Sequence, residues 1–419
     1  MASNTGTKVG SIVEHLFRQD AGRIVAILTG IFGLRNLELI EDAVQEALLK
    51  ALRQWSYGTI PENPSGWLVR VARNHALDVV RRDARLRERE AEIVAALEQA
   101  EATGPGADFL DEEIKDDQLR MIFACCHPAL SRESQITLTL KTLCGFNVDE
   151  IARSFLISSD AIAQRLTRAR ERLQKNDVVF EIPGGADLPK RLDSVLIVLY
   201  LLFNEGYNAS RGEDVIREDL CKEAIRLASL VREHGATAKP KVEALLALML
   251  FQAARFSSRS DSQGEILLLQ EQDRTKWDRE MIVQALHHLN QSAMGDEASG
   301  FHLQAGIAAC HCTAPSYEAT DWQKILDLYD ILLRTNNSPV IALNYAIALS
   351  KVRGPEAGLM AVREIKNSQA LRKYYLYYAV LAEFHRELKE YRKAAEAANS
   401  MRKLIRDEVR ATLQPDSSV

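Results

Sequence analysis

Phe146-Asn-Val-Asp-Glu-Ile-Ala-Arg-Ser-Phe-Leu-Ile-Ser-Ser-Asp-Ala-Ile-Ala-Gln-Arg-Leu-Thr-Arg-Ala-Arg-Glu-Arg-Leu173 is the stretch on which the reading of this chain turns. Asn147 followed three residues later by Glu150 is a capping box, the reciprocal pairing that satisfies free amides at a helix start. It opens a short helix with Ile151, Ala152 and Phe155 on one side. A turn over Leu156 to Ser158 follows, and Ser158 or Ser159 caps a second helix. That helix places Ile162, Leu166, Ala169 and Leu173 on one face and leaves Gln164, Arg165, Arg168, Arg170 and Arg172 elsewhere. Two short helices joined in this way fit a helix-turn-helix, whose second helix enters the major groove. There Gln and Arg bond base edges while other arginines hold phosphates. A plain helical hairpin with a solvated basic face has the same pattern, so the surrounding sequence has to decide.

Upstream, Trp67-Leu-Val-Arg-Val-Ala-Arg-Asn-His-Ala-Leu-Asp-Val-Val-Arg-Arg82 predicts another amphipathic helix, starting near Ser65. Leu68, Val71, Ala72, Ala76 and Val79 form its apolar stripe, and Arg70, Arg73, Asn74, Leu77 and Arg81 form a mostly basic face. From Trp67 to Arg87 six arginines stand against two aspartates, a net +4. From Glu88 to Asp117 eleven acids stand against two bases, a net −9, around Gly104-Pro105-Gly106. The chain's overall −5 therefore conceals a phosphate-binding segment beside an acidic linker. Surface pairing of those arginines with Asp78 and Asp83 is the competing account. Before them, Ile12 to Trp55 reads as two or three helices interrupted at Gly30, Gly33 and Asn36.

These parts, in this order, resemble the sigma-70 family in its minimal extracytoplasmic-function form. Glu41-Asp-Ala-Val-Gln-Glu-Ala47 with Trp55 is similar to the family's helix that docks on the clamp of the polymerase β′ subunit. The resemblance implies that Asp42, Gln45 and Glu46 contact core RNA polymerase. It implies that Trp67, Arg70, Arg73, Asn74, Arg81 and Arg82 read and help melt the −10 element, with the Ser56–Asn63 loop beside a flipped base of the nontemplate strand. It also implies that Ser158, Ser159, Gln164, Arg165, Arg168 and Arg170 read the −35 element on duplex promoter DNA, with the β flap as a second polymerase contact. The expected organisation is all-α: a region 2 domain over 10–87, the acidic linker over 88–117, a region 4 helix-turn-helix over 118–176 and a helical extension over 188–410.

Ile182-Pro-Gly-Gly-Ala186 marks the boundary, and beyond it amphipathic helices alternate with short Gly, Pro or Asn turns. Tyr378, Leu381, Ala382, Tyr391 and Ala394 sit at the offsets of a tetratricopeptide unit. A looser copy spans Leu343 to Ile365, with Ala357 lying 37 positions before Ala394. A tetratricopeptide-like solenoid and a generic helical bundle both fit. Phe123-Ala-Cys-Cys-His-Pro-Ala-Leu130, Leu202-Phe-Asn-Glu-Gly-Tyr207 and Gln272-Asp-Arg-Thr-Lys-Trp-Asp-Arg279 are similar to the subgroup with such an extension. In that subgroup the extension is thought to govern activity, with a regulatory protein as its expected partner. Asn204, Glu205 and Tyr207, and likewise Asp273, Arg274 and Trp277, are candidates either for a regulatory contact or for local structure. For Gly206 the local role would be a left-handed cap.

Other functional classes have less support. Six cysteines at irregular spacing make no disulfide framework, and no basic-apolar-small leader opens the sequence, so a reducing cytoplasm is expected. The longest apolar run, Val195 to Phe203, has nine residues, against about 20 for a membrane span. Cys125, Cys126 and His127, and the group His287, His288, His302, Cys310, His311 and Cys312, lack the spaced pairs of a structural zinc site. No metal or cofactor is expected. Nor is an enzyme, since no hydrolase, nucleotide-binding or redox motif is found. A stand-alone repressor with a sensor domain explains one helix-turn-helix but neither Asp42–Glu46 nor the Trp67–Arg82 helix.

Overall fold

A computed structural model describes residues 21–33, 36–56, 60–85, 116–175, 185–207, 216–261, 267–295, 298–336, 338–366 and 370–413. They are helical, with no strand among the described residues. Nearly all of the acidic 88–117 segment lies outside them, as do residues 57–59 of the loop expected beside the nontemplate strand. The chain divides into two compact units, one of residues 1–202 with 230–238 and one of residues 203–229 with 239–419.

The first unit begins with α1 (residues 21–32), which stops at Gly33, where φ is +76°. A side chain would resist that angle. Gly30, expected to break the chain as well, lies inside the helix. Helix α2 (Leu37–Trp55) buries Leu37, Ile40, Val44, Ala47, Leu48, Ala51 and Trp55. Helix α3 (Pro64–Arg85) starts one residue earlier than expected. Pro64 needs no amide partner at a first position, and Asn63 Oδ1 accepts from the Gly66 amide at 2.8 Å. A Cβ on Gly66 would meet the Asn63 side-chain Nδ2 at 2.8 Å, so a larger residue there would push the capping side chain aside. Leu68, Ala72 and Ala76 are buried on the side facing α2, and Trp55 and Trp67 pack with ring centroids 5.3 Å apart.

Four further helices in this unit are α4 (Asp117–Cys125), α5 (Arg132–Leu143), α6 (Val148–Phe155) and α7 (Ser159–Lys175). Asp116 caps α4 and Ser131 caps α5 through their side-chain oxygens. Cys125 and Cys126 are buried apolar fill, and burial pushes the Cys126 thiol up to about 12. Helix α8 (Leu188–Tyr207) begins in this unit, where buried Arg191 donates to the Phe123 and Ala124 carbonyls at the end of α4, at 3.0 and 3.4 Å.

The second unit takes the end of α8 and most of α9 (Glu218–Glu233). Its central helix is α10 (Pro240–Ala253), buried on nearly every side from Val242 through Phe251. Each such Val, Leu, Met or Phe contributes about 1.5–3 kcal/mol by leaving water. Then follow α11 (Arg279–Ser292), α12 (Gly300–Thr313), α13 (Trp322–Thr335), α14 (Pro339–Arg353), α15 (Pro355–Arg363), α16 (Tyr375–Glu387) and α17 (Tyr391–Leu413). From α12 onward each helix packs on its chain neighbour. Leu343, Ala346, Leu359, Val362, Ile365, Leu371 and Phe384 form one core, and Ile307, Cys310, Ile325, Leu326, Ala348 and Leu349 another. The α16–α17 hairpin buries Phe384 and Ala397, whereas Tyr391, one of the tetratricopeptide positions, is 67% exposed.

Candidate nucleic-acid interface

The capping box read from the sequence is formed. The Glu150 amide donates to Asn147 Oδ1 at 2.9 Å, and the Asn147 amide donates to Glu150 Oε2 at 2.7 Å. Leu156 closes α6 at φ +54°, its amide turned back to the Ala152 and Arg153 carbonyls. Of the two candidate serines, Ser158 caps α7, its Oγ accepting from the Ala161 amide at 3.3 Å. Ser159 instead donates to Asp149 at 2.5 Å and ties the two helices together. Ile162, Leu166, Ala169 and Leu173 are buried as expected.

This burial turns Gln164, Thr167, Arg168 and Arg172 outward. Arg165 and Arg170 are arranged differently. The Arg165 guanidinium lies 5.4 Å from the Phe155 ring centroid and reaches Thr137 Oγ1 at 3.4 Å. Arg170 closes on Glu41 of α2 at 2.6 Å, and the other oxygen of Glu41 accepts from Thr142 at 2.9 Å. The spacing of α7 gave no sign of this pair, because its members stand 129 positions apart.

On α2, Asp42, Gln45 and Glu46 are all exposed, beside the exposed apolar side chain of Leu49. On α3, Arg70, Asn74 and Arg81 are exposed, while Trp67 and Arg73 are half-buried. Arg82 lies within α3. Between the two helices runs a polar cleft of about 380 Å³ lined by Glu46, Lys50, Arg53, Asn74, His75 and Asp78. Of the residues singled out on α2 and α3, Glu46 and Asn74 line this groove.

In the second unit, two groups of regulatory candidates sit within the framework. Glu205 is buried. Gly206 is helical, with no left-handed cap. A Cβ there would meet Cys221 Sγ at 2.7 Å and the Arg217 carbonyl at 2.8 Å, so the glycine serves close approach by α9. Tyr207 stacks on Phe203, and Arg259 lies 3.5 Å over its ring while donating to its carbonyl. Asp273 caps a short turn by accepting from Thr275, which holds its carboxyl below the usual range. Arg274 donates to the His311 and Ala314 carbonyls at 2.6 and 2.9 Å, at the end of α12. Trp277 is buried, its Nε1 donating to Ser258 at 2.8 Å. Asn204 is half-buried. Sequence reading missed three buried arginines, Arg191 near the start of α8 and Arg255 and Arg259 shortly after α10.

Among the described residues no group of three or more His, Cys, Asp or Glu could hold a metal ion, and no helix is long and apolar enough to cross a membrane.

Comparison with known families matches residues 16–86 to Sigma-70 region 2, residues 120–173 to Sigma-70, region 4, and residues 191–293 to a family of unknown function (DUF6596). An uncharacterized protein of Rhizobium meliloti (strain 1021), R00370, is 39% identical over 88% of this chain and 86% of its own length. The ECF RNA polymerase sigma factor SigE of Mycolicibacterium smegmatis is 27% identical over 38% of this chain and 60% of its own. No solved structure matches.

Proposed function

Since the chain belongs to the sigma-70 family in its extracytoplasmic-function form, we propose that it binds core RNA polymerase through Asp42, Gln45 and Glu46 of α2, on the β′ clamp, and directs initiation by reading promoter DNA with α3 and α7. The observation that carries this reading is that folding leaves both surfaces open: the acidic face of α2 and the Gln164–Arg168 face of α7 are exposed. Arg70, Asn74, Arg81 and Arg82 of α3 engage the −10 element, and Gln164 and Arg168 the −35 element, with Arg165 and Arg170 held in reserve by Thr137 and Glu41. Region 4 also meets the β flap. The helical extension, whose packing of each helix on its chain neighbour supports a tetratricopeptide-like layout, governs activity through a regulatory protein. The site of action is the cytoplasm, and the role is regulatory, not catalytic.

Run-off transcription with core polymerase tests this. The full chain is expected to start promoter-specific transcripts, and Asp42→Lys to lose core association without unfolding. A stable complex with core that never initiates would sink the assignment. Promoter binding without any core association would favour a stand-alone repressor.

A further inference from the structure

The second unit contains a space that its packing leaves unfilled. It measures about 370 Å³ and lies among α12, α13, α14 and α16. Its floor is apolar, including buried Leu343, Ala348 and Phe384. One wall is aromatic: Trp322 packs edge-on against both Tyr317 and His311, with centroids 5.4 and 5.3 Å away. Apolar space of this size is costly to leave open, and its volume lies within the roughly 300–1,000 Å³ range of small-molecule sites.

Polar groups at the cavity narrow the chemistry. Lys351 is paired with Glu387 at 3.1 Å, and Glu383 with Arg386 at 2.6 Å, so each lining charge already has its partner. An anion such as a nucleotide would find no unspent cation there. The Asn344 amide and the Tyr317 hydroxyl, by contrast, line the same space with no hydrogen-bond partner among the described residues. An apolar body with a few unspent hydrogen-bonding groups is the usual composition of a ligand site.

We propose that this cavity binds a small uncharged molecule with an aromatic or branched-aliphatic body, hydrogen-bonded by Asn344 and Tyr317. Binding is measured apart from transcription, so its outcome does not depend on the sigma assignment.

The test titrates full-length protein with N-phenyl-1-naphthylamine, an uncharged fluorescent probe. Saturable binding, displaced by N-acetyl-L-tryptophanamide but not by ATP, is expected. Ala379→Trp and Asn344→Trp fill the cavity from α16 and α14, both at half-buried positions. Each should weaken probe binding by about tenfold or more with melting temperature little changed. The wild-type displacement series decides the matter even if one variant folds poorly. Absence of saturable binding, equal binding by both folded variants, or displacement by ATP would overturn the proposal. Tighter displacement by an apolar hexapeptide than by the capped amino acid would replace the small molecule with a protein segment.

Discussion

Arg168 and Arg259 have the same side chain and opposite positions. On α7 the Arg168 guanidinium faces solvent, because Leu166 and Ala169 beside it take the buried face. In the second unit Arg259 is buried against the Tyr207 ring, and Arg255 reaches Gln272 at 3.2 Å. On α7 the first unit leaves Arg168 and Arg172 to solvent, although it also buries Arg191 against the carbonyls of α4. The second turns arginines inward to hydrogen-bond carbonyls and lie over aromatic rings. Arginine count therefore says little about nucleic-acid binding, and what decides is which guanidinium groups the fold has already engaged.

The contrast breaks most readily at Trp277. If the Gln272–Arg279 segment is framework, Trp277→Ala removes a ring that is only 3% exposed and should destabilise the protein by about 3–5 kcal/mol in denaturant unfolding. An unchanged midpoint would return Trp277 to the regulatory candidates. Gly206→Ala comes next, at about 1–3 kcal/mol, because the new methyl group meets the α9 backbone. A left-handed cap would also be harmed by alanine, but Gly206→Asn separates the two. Asparagine suits a cap and would be worse still against Cys221.

A pH-dependent effect belongs to His311. Burial, then Arg255 and Arg274, push its pKa down to about 3 from 6.5. The unfolded chain therefore binds this proton more readily than the folded one. The stability at issue is complete above pH 6.5 and is lost as pH falls toward 3, by at most about 1.4 kcal/mol per pH unit. His311→Phe should flatten the acid limb of a melting-temperature profile. An unaltered limb would mean that the ring is protonated in the fold.

The smallest effect on stability is expected where the effect on function is largest. Asp42→Lys and Arg168→Ala, both on exposed faces, should shift unfolding by no more than about 0.5 kcal/mol. The first should lose core polymerase and the second should weaken promoter binding. If Arg168 touches phosphate all sequences suffer alike, whereas a base contact at Gln164 costs about 1–3 kcal/mol at particular positions.

The helix-turn-helix was legible because its determinants are local. Asn147 and Glu150 meet within one turn, and the periodicity of Ile162, Leu166, Ala169 and Leu173 settles which way α7 faces. The same holds for Asp42, Gln45 and Glu46, left outside by the stripe from Leu37 to Trp55. What escaped the sequence depends on distant partners. Nothing near Arg191 indicates that it meets Phe123 and Ala124. Gly206 looked like a helix terminator because glycine serves caps and close approaches equally, and only the position of Cys221 distinguishes them. Tyr391 matched a repeat position, yet it is exposed, while Phe384 of the preceding helix is buried in a core with Leu343 and Leu359.

The pairing of Arg170 with Glu41 changes what that arginine can offer to DNA. A phosphate approaching the Nη2 edge of Arg170 competes with a carboxylate already seated at 2.6 Å, so binding at that edge is an exchange of one anion for another. The gain is the difference between two charge-assisted pairings, small next to what an unengaged guanidinium would provide. The exchange also frees Glu41, which then keeps only Thr142. Engagement of the backbone by α7 would thus be sensed on α2, the helix proposed to carry polymerase.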